Sequence, residues 1–458
     1  MALRRPNPWL RDALAEAGWT AQRLATAVNT AGAETGIKLS YDRTAVAHWL
    51  SGTRPRPPVP DLLAEVFSRR LARPVTTAEL GLARENPDDA GIPGHEQSAV
   101  DAGSMLTGLY TTAMLRAAAM PLYSLAGPTV SSWPGTAGQL LAHRTRADRV
   151  VTPADADAAE HLARVLAAGD ATFGGGHVRQ AAAAYLAADL APKLHARMNP
   201  RTRRRLFTAA AQLSYLCGFM CFDSLMNGLG QRYYRGALRL AAENADRAGY
   251  AITLRAMSVQ AHCLGHHQYA RALAETAAGG TWRPAPRQRA FLEGQLAVVC
   301  AADGDKAGAL TSLTAAERHL DQATSASPLT GAYHLASLAH QQAVVRELLG
   351  DRRGAIQSLE ESIRHRPADE RRSRAITLSR LADLQLYAGH LDRAICTWHR
   401  FLDDYPHLDS GRATAALHTL RSRIRPYARN PAAGILLQRA STHTPSSADR
   451  RNTTGRSD

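Results

Sequence analysis

The constraint that bears most on the fold is a repeated spacing. In residues 250–406 small, large and turn-forming residues recur in the same order, in copies too short to fold alone. The last copy is the most complete. Leu378, Leu381 and Ala382 share one helical face, Gly389 marks a turn, Ala394, Trp398 and Phe401 share a second face, and Pro406 closes the unit. Earlier copies place Gly350 with Ala355, Leu359 and Pro367; Gly304 with Leu296, Ala297, Ala309 and Leu313; and Gly265 with Leu254, Met257, Ala270 and Leu273. Successive turns lie 39, 46 and 39 residues apart. A 3.6-residue period on both sides of a glycine predicts paired helices. Small residues let the helices approach, and each pair leaves an apolar face that only the next pair covers. Two further pairs are expected at 156–168 with 178–195 and at 203–222 with 229–246.

Composition agrees with an all-α chain. Aromatic residues are 6% of the 458 residues while Ala recurs throughout, a balance suited to close helix packing rather than to β-sandwiches. The length allows two or three domains. A net charge of +15 favours an anionic partner without choosing among DNA, RNA and membrane. The start, Met1 to Pro8, lacks the apolar stretch of a secretory signal, so a cytoplasmic location is expected. The most apolar window, 105–126, is broken by Arg116 and Pro121, and no membrane span is predicted. Five scattered cysteines, Cys217, Cys221, Cys263, Cys300 and Cys396, lack paired metal spacing and read as reduced core residues.

Four regions follow: a helical head over 1–82, a linker with one helix at 106–120 over 83–150, the helical array over 151–425, and a basic tail over 426–458, Ser/Thr-rich and disordered from 441. In the head, Thr20 can cap a helix carrying Leu24, Ala25 and Val28, and Ser40 can cap one carrying Val46, Trp49 and Leu50. Gly52 stops the latter before the basic connector Thr53 to Pro58, and Asp61 starts another helix. On a helix over 42–51, Ala45, Val46, Trp49 and Leu50 group on one side; Arg43, Thr44, Ala47 and His48 group on the other. A reading helix needs this division, burying one side and presenting short polar or cationic groups to base edges. Arg43 can donate two hydrogen bonds to guanine, and Thr44 and His48 can meet a base or a phosphate; Ala47 lies on the same reading side.

The segment Thr20 to Ala25, followed by Thr44 to Gly52 and an Arg-Pro connector, resembles the XRE (lambda-repressor-like) helix-turn-helix family. The resemblance implies double-stranded DNA as partner, Gln22 at the groove edge, and Arg23, Arg54 and Arg56 on phosphates. The connection over 30–39, with Gly32 and Gly36, is longer than that family's turn. The repeats resemble the 34-residue tetratricopeptide pattern with lengthened connections. The whole arrangement, including Asp170 to Arg179, Tyr185-Leu186 and Gln212 to Asp223, looks like actinobacterial, streptomycete-type regulators joining an XRE head to tetratricopeptide repeats. That implies an α-solenoid used for sensing, dimerisation or partner binding, with a peptide or protein segment on its concave face, a homodimer, and a setting in sporulation or secondary metabolism. A repeat scaffold without sequence-specific DNA binding is the alternative.

Other motifs read as structural. Gly174 to Arg179 lacks the Lys-Ser/Thr ending of a phosphate loop and reads as a tight turn. His266-His267 has no third ligand at fixed spacing. The clusters Arg197 to Arg205 and Arg364 to Arg374 read as solvated helix ends. No nucleophile, triad or paired-carboxylate signature stands out, so neither an enzyme nor a cofactor is predicted.

Overall fold

A computed structural model describes residues 6–35, 37–82, 102–114, 121–125, 133, 147–280, 282–323 and 333–443. The described residues are overwhelmingly α-helical. Residues 83–101 of the expected linker region, the Gly/Pro-rich stretch over 127–138 (save Trp133) and the chain after 443 lie outside them. Contacts divide the chain into two compact units: Met1–Asp101 with Thr111–Ser131 and Met226–Gln231, and Ala102–Tyr110 with Ser132–Leu225 and Arg232–Asp458.

The first unit contains α1 (Pro8–Glu16), α2 (Ala21–Glu34), α3 (Arg43–Leu50) and α4 (Val59–Leu71). Each of the first three starts at a side chain that accepts orphan backbone donors. Asn7 accepts from Leu10 N, Thr20 from Arg23 N, and Asp42 from Thr44 N and Ala45 N. Asp42 therefore caps α3 in place of the expected Ser40. Leu10, Leu24, Val28, Val46, Leu63, Phe67 and Leu80 are fully buried in one core with Trp49. Buried Asn7 also donates Nδ2 to Leu80 O at 2.9 Å, and its backbone N donates to Leu50 O at 3.0 Å. Residues 121–125 belong to this unit rather than to a linker. Leu122 packs on the core, Leu125 N donates to Glu65, and Arg69 donates to Tyr123 O while pairing with Glu34 and Glu65.

The second unit opens with residues Ala102–Tyr110 of α5 (Ala102–Met114), a helix that starts earlier than the expected 106–120, and with β1 (Ala147–Val150), which pairs in parallel with the short β2 (Ala196–Arg197). Next come α6 (Pro153–Phe173) and α7 (Gly175–Tyr185), which widens through a π-turn at Leu186–Leu190 into α8 (Ala191–Lys193). Pro192 has no N–H to donate one turn back, and the wider turn accommodates that loss. Then follow α9 (Pro200–Asp223), α10 (Asn227–Glu243), α11 (Arg247–Cys263), α12 (His267–Ala278), α13 (Pro286–Ala302) and α14 (Lys306–Asp321). The chain continues with α15 (Leu335–Leu348), α16 (Arg352–Arg364), α17 (Arg371–Tyr387), α18 (Leu391–Asp404), α19 (Gly411–Ile424) and α20 (Pro431–Thr442).

From α11 to α18, consecutive helices pack as pairs. The four glycines picked out by the repeat take φ of +83° (Gly265), +79° (Gly304), +88° (Gly350) and +83° (Gly389), the left-handed region that a Cβ disfavours. The starts of α11, α14 and α16 share a second signature. Asp246, Asp305 and Asp351 each accept from the backbone N–H of a glycine three residues on, Gly249, Gly308 and Gly354. A Cβ on these glycines would fall within 2.7, 2.4 and 2.1 Å of the capping carboxylate. Helical packing extends beyond the expected limit at 425: in α20, Ala433, Leu436 and Ala440 are buried with Trp398, Phe401 and Leu420. This part of the supposed tail is core because its apolar residues recur at three and four.

The second unit also joins its beginning to its end. Arg372 of α17 pairs with Asp170 of α6 at 3.0 Å, both buried, and lies over the Phe219 ring of α9. Asp409 N donates to Phe173 O at 2.8 Å, Gly176 N donates to Asp409 O at 2.9 Å, and Ser410 donates to Asp223 at 2.9 Å. Gly174 to Gly176 is thus a close-packed turn, and a Cβ on Gly176 would overlap the Asp409 carboxylate. The two arginine clusters are not simply solvated helix ends. Arg205 pairs with Asp157 and Glu160, Arg366 with Glu370, and Arg374 with Asp404.

Among the described residues, α9 is long and apolar enough to cross a membrane, with mean hydropathy 1.2, and 83% of its apolar window is buried within the fold. The cysteines divide. Cys217, Cys221 and Cys300 are buried, whereas Cys263 and Cys396 are exposed, against the expectation that all five are core. Burial pushes the Cys221 thiol up to about 12 and raises the Cys217 thiol as well. An aromatic disulfide reagent at pH 8 should therefore react quickly with two thiols in the native chain and with the other three only after unfolding. Three or more fast thiols would contradict this packing.

Candidate nucleic-acid interface

The candidate surface is built on α2, α3 and the connector after them. Burial of Val46 (0% exposed) and Trp49 (5%), with Tyr41 edge-on to the Trp49 ring at 5.0 Å, fixes the rotation of α3 about its axis. With that side held, Arg43, Thr44, Ala47 and His48 are all exposed. Gln22 and Arg23 are exposed on the first turn of α2, and Arg54 and Arg56 are exposed on the connector. The structure thus turns all eight residues picked from the sequence to solvent, on three consecutive stretches of one unit.

Their surroundings differ. Among the described residues, no hydrogen bond or ion pair engages the side chains of Gln22, Arg23, Arg43, His48 or Arg56. Arg54 instead donates Nη2 to Leu82 O at 2.8 Å and so braces the end of the unit. Asp42, which backbone donors hold below the ordinary carboxylate range, keeps a negative charge at the start of α3. Cations on the far end of α4 are committed elsewhere: Arg69 to Glu34 and Glu65, Arg73 to Glu16 and Glu79, and Arg70 to Ala17 O. The uncommitted positive charge at Arg23, Arg43 and Arg56 suits a polyanion.

The connection between α2 and α3 runs over residues 35–42, because α2 continues through the expected turn as far as Glu34. It is pinned rather than loose. Asn29 of α2 donates Nδ2 to Tyr41 O at 2.8 Å and accepts from Tyr41 N at 2.9 Å. Gly32 lies within α2, where a Cβ would come within 2.5 Å of the Leu39 side chain. Gly36 lies outside the described residues. Nothing in the sequence around Asn29, in the interior of α2, marks it for this role, because its partner Tyr41 lies twelve residues on. The connection also carries exposed Lys38, a further cation beside α3. Asn29→Ala should cost about 1–2 kcal/mol and speed amide exchange over residues 37–46 while α4 keeps its protection. Equal protection in both proteins would remove this residue from the positioning of α3.

Among known families, one described as "SP15 N-terminal domain" matches residues 10–83, a span that holds all but the first two residues of α1, the whole of α2 to α4 and all eight candidate residues. No curated protein matches the chain.

Proposed function

We propose that the chain is a DNA-binding transcriptional regulator of the XRE type. Its first unit is a lambda-repressor-like helix-turn-helix head, and its second a tetratricopeptide-type α-solenoid for sensing, dimerisation or partner binding. The observation that carries this reading is the division of α3: Val46 and Trp49 are locked in the core while Arg43, Thr44, Ala47 and His48 face solvent. An isolated short helix would hold no fixed face; this one is capped, anchored and rotated to a single presentation.

The roles follow from chemistry. Arg43 reads guanine through its planar fork, Thr44 and His48 meet a base edge or a phosphate, and Ala47 allows close approach to a thymine methyl. Gln22 stands at the groove edge, and Arg23 and Arg56 bind phosphates, as does Arg54 from its braced position. A homodimer would place two heads on half-sites about 34–36 Å apart. The working location is the cytoplasm, on the nucleoid when bound, and the concave face of the repeats takes a peptide or protein segment.

Selection of bound fragments from genomic DNA by the full chain tests the reading. Enrichment of one sequence, with affinity falling steeply as salt rises, supports it. Equal recovery of all fragments leaves the scaffold reading in its place. Arg56→Ala is the cleanest phosphate test, because Arg54 also holds Leu82 O. It should weaken binding evenly across sequences and lower the salt slope by about one. A sequence-dependent loss would instead move Arg56 into base reading.

A further inference from the structure

We infer that the second unit holds a binding site for a small organic anion, a carboxylate or phosphate, centred on Arg255. This deepens the sensing role proposed for the repeats and is independent of how the first unit meets DNA.

Arg255 projects from α11 onto the ring of Phe291 on α13, its guanidinium carbon 3.9 Å from the ring centroid. It lies deep among Tyr215, Tyr234 and Tyr333 yet keeps part of its surface open. Among the described residues no carboxylate forms an ion pair with it, and its Nε has no hydrogen-bond partner. Its partner is neutral: with the Gln341 amide oriented to donate to the Tyr333 hydroxyl at 2.5 Å, the amide oxygen accepts from Arg255 Nη2 at 3.1 Å. The contrast with Arg372 and Arg366 is plain, since each of these buried guanidiniums is matched by Asp170 or Glu370. A desolvated cation without a counter-charge is costly, and a fold that needed only packing would place an apolar residue there.

The surroundings are shaped for this arrangement. Gly294 sits in the middle of α13, where glycine weakens a helix. A Cβ there would come within 1.9 Å of the Gln341 amide and 2.6 Å of the Tyr333 hydroxyl. The glycine therefore makes room for the pair that orients Arg255. Two turns along α11 on the same face, His262 has an unpartnered Nδ1, and it stands within electrostatic reach of Arg380. An anionic group would draw charge-assisted hydrogen bonds from the guanidinium of Arg255, whose stacking on Phe291 fixes the plane of its donors.

Thermal unfolding of the full chain at constant ionic strength, with benzoate, inorganic phosphate or neutral benzamide added, tests the inference. At least one anion should raise the midpoint by several degrees in a saturable way, and benzamide should not. The two anion arms distinguish a carboxylate from a phosphate ligand. Arg255→Gln should keep or raise the midpoint without ligand, since it removes an uncompensated charge, and should weaken the anion response about tenfold or more. Tyr333→Phe, which frees the Gln341 amide, should weaken it several-fold, so the inference stays testable if the first variant folds poorly. An undiminished response in both variants overturns the site. So does stabilisation by polyglutamate alone, which would transfer the face to an acidic peptide, or by no anion while DNA selection persists. Loss of DNA selection with the anion response intact would overturn only the reading of the first unit.

Discussion

Arg372→Ala should destabilise the second unit by about 3–5 kcal/mol at neutral pH, the cost of leaving a buried charge without its partner. The substitution strips Asp170 of its cation while Asp223 still repels it, and it removes the guanidinium from the Phe219 ring. In the native chain, burial and then Asp223 push the Asp170 carboxyl up to about 6, against the pull of Arg372. A folded pKa above the unfolded one gives a contribution that is full below about pH 4 and lost as pH rises through 6. The penalty of Arg372→Ala should therefore shrink below pH 6, where the proton replaces the cation. Denaturant melts of both proteins at pH 5 and pH 8 check this. A penalty equal at both values, or a midpoint that does not move, would show that the pair does not hold the beginning of the array to its end. Replacing both partners by apolar residues, Asp170→Leu with Arg372→Met, should recover much of the loss.

Arg43→Ala should lower affinity for the selected DNA site about tenfold or more and bring it close to that for unrelated duplex. Arg43→Lys separates charge from geometry. A lysine keeps the cation but not the planar fork, so the salt slope should survive while the preference for one sequence falls. Gel-shift titrations of the full chain on selected and scrambled sites measure both quantities. Unchanged selectivity in Arg43→Ala would take the residue out of base reading. An equal loss on both sites would make it a phosphate contact like Arg56.

Much of the candidate interface was legible because helix faces and caps are local. Trp49 and Val46 recur at a spacing that puts them on one side, and the opposite side then has to face away from the core. Asn7 and Asn29 were not legible in the same way. Their partners are Leu80 and Leu50 for the first and Tyr41 for the second, backbone groups that come near only when the chain turns back.

By itself the sequence determined what a residue and its neighbours within one turn decide: helical pairs from their period, and left-handed turns at Gly265, Gly304, Gly350 and Gly389. Only the tertiary structure decided which charges are spent and which are left over. Nothing near Arg372 in the chain indicates that Asp170, some two hundred residues earlier, will neutralise it. Nor does anything near Arg255 indicate that no carboxylate will. The reason is physical: local conformation follows short-range sterics and hydrogen bonds, whereas the state of a buried charge follows from whatever distant group the fold brings within a few ångströms of it.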